Sequence, residues 1–195
     1  MSVTSWTRET VSSTVASTGT SNFLYMNFGV GNGSNTNYPA NTHIALPVVG
    51  MVQTSAQIDE PRLGTGTDPN LSLTTANISN QKASDFVPCM WYIHDDIIIE
   101  AVASIEGADN PTGDTTRFHL VSYDFTSGST SCLTNGVILA NNSDTTNEGV
   151  EQAYLSTWTV NSSEVSAGKV ILATFRQDGT NSDYSVNVIV KYRLK

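Results

Sequence analysis

From Tyr184 to Leu194 the chain alternates, with Ile189 the one apolar residue on the polar side. Tyr184, Val186, Val188, Val190, Tyr192 and Leu194 fall on one side of an extended backbone, and Ser185, Asn187, Lys191 and Arg193 fall on the other. Side chains of a strand repeat every two residues, so this pattern rules out a helix here. Moving the pairing by one residue would turn the polar set inward, which fixes the register. Lys169–Arg176 forms a second run of strand formers just ahead of it, and the Asp178-Gly179 step between the two runs predicts a β-hairpin. Because the last run continues to Lys195, we expect the C-terminus to lie in the core sheet, with no targeting or regulatory tail beyond it.

Comparable runs bounded by turn residues recur upstream, at Asn22–Phe28, His43–Val52, Leu71–Ser79, Phe86–Ile93, Asp96–Ile105, Thr116–Phe125, Gly136–Ala140 and Gln152–Val160. Nine or ten strands with long polar connections predict an all-β chain folded as a jelly-roll or Greek-key β-sandwich. In Asp96–Ile105, the residues Ile97, Ile99, Ala101, Ala103 and Ile105 make one entirely apolar face, while Ile98 and Val102 share the other with Glu100 and Ser104, so a central strand is expected, with part of its second face also covered. No 3.6-residue period persists over three turns, and any helix should be a short connector. Residues 43–195 are read as the sandwich domain. Residues 1–42 are read as an extended arm or edge strand followed by a Gly/Asn/Ser-rich loop. The arm either joins a neighbouring subunit's sheet or forms an edge of its own domain.

Ser, Thr and Asn together supply 65 of the 195 residues, while charged residues make up 14%, a balance that favours strands and turns over solvated helices. The formal net charge is −9, which opposes binding to a phosphate backbone or an anionic lipid surface, so neither nucleic acid nor membrane is an expected partner. The N-terminal segment lacks a basic stretch followed by an apolar core, and no apolar run is long enough to span a bilayer; we expect no Sec-type signal and no membrane helix. Cys89 and Cys132 are expected to be free thiols.

No residue stands out as catalytic, cofactor-binding or metal-ligating. His94-Asp95-Asp96 lies between two apolar runs and is read as a turn, since adjacent strand residues point to opposite faces. His43 and His119 sit on expected strands without a nearby second ligand. Asp109, Asp114 and Asp124 lie in or beside oxygen-rich loops that suit calcium, but at spacings that match no calcium loop. The Gly29–Gly33 and Gly64–Gly66 segments lack the helix and lysine of a phosphate cradle. No Gly-x-Ser-x-Gly elbow is present, so the chain is not expected to be an enzyme. Sequons at Asn32, Asn70, Asn77, Asn141 and Asn161 are what so much Asn and Ser produces by chance. Tyr38 and Trp6, among polar residues, are the candidates for stacking on a sugar.

In the last 110 residues the order of segments carries a resemblance. A proline-containing apolar run leads into a strong strand (Phe86–Ser104), Val165–Arg176 follows, and a final strand closes the chain. This order resembles the trimeric jelly-roll head of the tumour-necrosis-factor and complement type, found in many tailed-phage fibre and capsid-decoration proteins. The resemblance implies a homotrimer in a virion, assembled in the host cytoplasm. Its partners would be copies of itself and the major capsid protein or another virion protein, and it would act as a decoration (cement) or short head-fibre protein. It brings no catalytic residue and no cofactor. A receptor-binding or lectin-like module recognising host glycan is the alternative.

Overall fold

The computed structural model describes residues 22–31, 40–49, 61–73, 83–109, 113–146, 152–178 and 183–195. Its strands are β1 (Leu24–Val30), β2 (Ile44–Ala45), β3 (Trp91–Tyr92), β4 (Ile97–Asp109), β5 (Thr115–Phe125), β6 (Leu133–Asn141), β7 (Thr145–Thr146), β8 (Gln152–Thr157), β9 (Thr159–Val160), β10 (Glu164–Val165), β11 (Lys169–Gln177) and β12 (Asp183–Leu194). They form two antiparallel sheets, and the fold is the expected β-sandwich of jelly-roll type. The first sheet runs β1-β12-β4, with β10 and β8 sharing the far edge of β4; the second runs β2-β11-β5-β6-β9, with β3 on β11 and β7 on β5.

The expected hairpin between the last two strands does not form. β11 pairs with β5, β2 and β3, whereas β12 pairs with β1 and β4, so the connection crosses from one sheet to the other. The two strands meet across the core, with the Phe175 and Tyr184 rings 4.9 Å apart. Burial supplies the reason. Val170 to Phe175 are all buried, so β11 is covered on both faces and needs a strand on each side, a position in the middle of the second sheet.

The second correction concerns β4. Lys191 of β12 lies opposite Ala101, but Tyr192 lies opposite Ile99, so Glu100 is an extra residue and β4 is bulged there. The bulge reverses which side chains face inward. Ile97 and Ile99 are buried before it; after it Val102, Ser104 and Glu106 are buried, while Ala101 and Ile105 are exposed. Trp158 Nε1 donates to Ser104 Oγ at 3.0 Å, and Thr116 Oγ1 donates to Glu106 Oε1 at 2.6 Å, which makes the buried polar groups tolerable.

A third difference is local. Ala83–Phe86 is one α-helical turn and Val87–Cys89 one 3-10 turn, so the expected strand at Phe86–Ile93 begins only at Trp91. Pro88 provides no N–H for a sheet ladder, and the three-residue spacing buries Phe86 and Cys89 while leaving Val87 exposed. Within the described residues the expected strand at His43–Val52 shows β2 and a bridge at Val48, and that at Leu71–Ser79 a bridge at Leu73; residues 50–52 and 74–79 lie outside the described residues.

The main core lies between the sheets around Phe28, Phe118, Leu120, Phe175, Val188 and Val190. A second apolar cluster covers the outer face of the second sheet. There Leu63, Leu73, Phe86 and Cys89 pack on Val121, Tyr123, Val170 and Leu172. Cys89 and Cys132 are both free and buried. Leu24–Val30, expected as part of an arm or edge strand, is the edge strand of the first sheet. Residues 1–21, including Trp6, and Tyr38 lie outside the described residues.

Candidate functional site

Registers across the first sheet place its outward side chains in rows. Leu155, Ile105, Asn187 and Gly29 lie side by side; so do Thr157, Ala103, Ile189 and Asn27; and Ala101, Lys191 and Tyr25 form a third row. Ala153, Gly107 and Ser185 complete the face. The parity follows from the inner residues: Phe28 on β1, Val102 and Ser104 on β4, and Val186, Val188 and Val190 on β12 are buried, so their sequence neighbours point outward.

Among the described side chains of this outer face one is charged, Lys191, whose ammonium lies 3.8 Å from the centre of the Phe23 ring. Glu100, the bulged residue, is paired: Arg193 Nε donates to its Oε1 at 2.6 Å. Leu155 is 71% exposed, Tyr25 63% and Ile105 46%, so the face presents apolar and small side chains to solvent. Strand and residue spacings give the patch a size of roughly 400 Å². The exposure of Ala101 and Ile105 is a direct product of the bulge. Sequence alternation placed both in the core, and no local signal in β4 marks the reversal.

Beside it an open hollow of about 450 Å³ is lined by Asn22, Leu24, Arg193 and Leu194. Exposed Phe23 and Tyr25 flank its β1 wall. These aromatics lie on and just before β1; Tyr38 and Trp6, the residues expected to stack on a sugar, are outside the described residues.

The remaining candidates separate. His94 packs edge-on against Tyr92 at 4.8 Å, and Asp96 accepts the Ala167 N–H at 2.9 Å, so the His94–Asp96 segment is a turn held by its neighbours. Asp124 is taken by Lys169 and by Asn135 Nδ2, far in the chain from Asp114, and among the described residues no group of three or more His, Cys, Asp or Glu could hold a metal ion. Asn161 Nδ2 donates to Asn141 Oδ1 at 2.7 Å, giving two of the sequon side chains a structural role.

One buried polar group was not singled out by sequence, and two others were read apart that the fold brings together. Glu106 is 1% exposed, with Oε1 bonded only by Thr116 and Oε2 unpartnered; burial pushes its carboxyl up to about 7. His43 and His119, expected to stand alone, come together with ring centres 5.1 Å apart. Burial foremost, and the neighbouring His119, hold His43 down to about 4.

No protein-family model matches the sequence, and no curated protein matches it. Among solved structures the chain is similar to Eiger TNF from S. frugiperda, with 11% sequence identity and a TM-score of 0.34, over 89% of this chain and 93% of that chain.

Proposed function

We propose that this chain is a structural protein that works by contact with copies of itself, as a homotrimer in a phage virion, seated on the capsid as a decoration protein or short head fibre. The observation that carries self-association is the outer face of the first sheet. A chain of net charge −9 repels its own copies, and contact is least opposed where no unpaired carboxylate would be buried. Among the described residues the rows around Ile105 and Leu155 meet that condition, and burying them removes apolar area from water at about 25 cal/mol per Å². A patch of roughly 400 Å² is about half of what one partner contributes to a standard interface, so contacts around its rim must complete it. The virion setting rests on the segment order of Phe86–Arg176 and on the acidic, Ser/Thr/Asn-rich composition.

Light scattering on the purified chain tests the association. We expect a mass near three times 20.9 kDa, reduced to that of one chain by Ile105→Asp, with the far-ultraviolet strand signal unchanged. A monomeric parent chain overturns the reading. It would turn attention to the hollow beside Phe23 and Tyr25 as a glycan site, to be probed on a glycan array.

A further inference from the structure

A strap of chain, Pro61–Leu73, crosses the outer face of the second sheet. Its backbone is tied to β2 by Ala45 N–H to Pro61 O at 2.9 Å, His43 N–H to Gly64 O at 2.9 Å and Leu63 N–H to His43 O at 2.7 Å. Tyr123 Oη donates to Asn70 O at 2.8 Å, and Leu73 N–H to Leu133 O at 2.8 Å. Leu63 and Leu73 are buried beneath it as part of the outer apolar cluster.

Between these ties lie the two imidazoles, both fully buried. His43 Nε2 is 3.1 Å from Gly66 O and 3.2 Å from Thr67 O. Carbonyl oxygens only accept, so Nε2 carries the proton and Nδ1 is a bare lone pair. His119 Nε2 is 3.2 Å from Asp68 Oδ1, which fixes the same tautomer beside an ionised carboxylate. Both Nδ1 atoms are buried without a partner among the described residues. A second proton on either ring must therefore go to Nδ1, where no acceptor waits. The new cation would also face other cations. His43 looks onto His119 and Arg176; His119 looks onto Arg117 and Arg176, with Asp68 and Asp144 as the opposing carboxylates. Asp144 is already held by Arg117 through two bonds, of 2.5 and 2.7 Å, and Asp68 is 59% exposed, so neither offsets a charge on His43 at close range.

We infer that His43 and His119 form an acid-sensitive latch on the Pro61–Leu73 strap, which opens by taking up protons and uncovers the apolar cluster around Leu63 and Leu73. The inference is independent of how copies of the chain associate. The sign follows from the tautomers: the closed state refuses protons that a solvated imidazole accepts near 6.5, so closure is secure at neutral pH and is lost as pH falls. A proton that His43 takes up on opening raises the open fraction roughly 40-fold between pH 6.5 and 4.5, since the solvated ring is already half protonated at 6.5, and proton uptake by His119 adds to it in the same direction.

Native-state amide exchange on the full chain, corrected for the intrinsic pH dependence of exchange, reads this directly. Strap amides at Leu63 and Asn70 should lose protection by roughly 40-fold or more between pH 6.5 and 4.5, while Val188 and Val190 in the first sheet keep theirs. In a His43→Gln/His119→Gln variant, whose amides keep a donor on the Nε2 side and cannot titrate, strap protection should be flat. Equal acid opening in that variant would assign the effect to carboxylates and overturn the latch. The parent chain's imidazole titration by NMR needs no variant. A His43 that protonates near 6.5 with the strap still protected also overturns it.

Discussion

Replacing Glu106 by Gln should remove a pH dependence of stability whose sign and size follow from the core around it. The Glu106 carboxyl titrates near 7 in the folded chain, against an ordinary value of 4.5. Between those values the folded state holds a proton that the unfolded state has released. Its stabilising effect is complete below about 4.5 and is lost as pH rises through about 7. At about 1.4 kcal/mol per pKa unit, the shift corresponds to about 3 kcal/mol over the whole range and about 2.5 kcal/mol between pH 5 and pH 8. Gln has no such proton and keeps an acceptor for Thr116 Oγ1, which sits 2.6 Å from Glu106 Oε1. Its NH₂ takes the place of the unpartnered Oε2 and costs about 1–3 kcal/mol at every pH, which lowers the curve without tilting it. Urea unfolding of both proteins at pH 5 and pH 8, at one protein concentration, gives four free energies. The parent should lose about 2.5 kcal/mol more than Glu106→Gln on going from pH 5 to 8; His43, His119 and all other groups cancel in that comparison. Parallel behaviour of the two proteins would refute the placement of an uncharged carboxyl in the core.

Three further substitutions probe the frame of the two sheets. Asn142 Oδ1 accepts the Phe118 N–H at 2.7 Å deep in the second sheet, so Asn142→Ala should cost about 1–3 kcal/mol in urea unfolding by stranding that N–H. At Gly29 a Cβ would stand 2.5 Å from the Val186 carbonyl oxygen, whereas at Gly31 it would meet nothing within 4 Å. Gly29→Ala should therefore lower stability by about 1–3 kcal/mol, with exchange rising first in β1, while Gly31→Ala stays within about 0.5 kcal/mol of the parent.

Where the sequence reading succeeded, the cause was local. Alternation in β12, and the bounded runs of β5, β6 and β8, report a single strand's two environments, and a strand needs only its own residues to show them. Pairing is a different matter. Asp178-Gly179 between two strand runs looks the same whether the chain turns back beside itself or crosses to the facing sheet. Only the continuous apolar stretch Val170–Ala173 hinted that β11 needed neighbours on both sides. The β4 bulge was invisible because the partners that make Ser104 and Glu106 acceptable inside, Trp158 and Thr116, are supplied by other strands. With the bulge hidden, the exposed row of Ala101, Ala103 and Ile105 was hidden too. His43 and His119 are 76 positions apart on strands that sequence alone does not place side by side, so their pairing emerges only from β2 and β5 flanking β11.

The position of β12 also dictates an order of assembly. β1 and β4 border it on opposite sides and are joined in the sheet only through it, with Val186 to Val190 placed between Val30–Met26 and Glu106–Val102. Withholding this strand would not trim the first sheet at a margin; it would cut the sheet in two and leave β1 held, among the described residues, by its bridge to Val48, where Gly29 N–H donates to Pro47 O at 2.8 Å and Val49 N–H to Asn27 O at 3.0 Å. Closure of the sandwich therefore waits for contacts between segments more than 150 residues apart in the chain. Until they form, Phe28 and Val102 belong to separate fragments, and the apolar surfaces that β12 will cover stay open to any other edge that reaches them first.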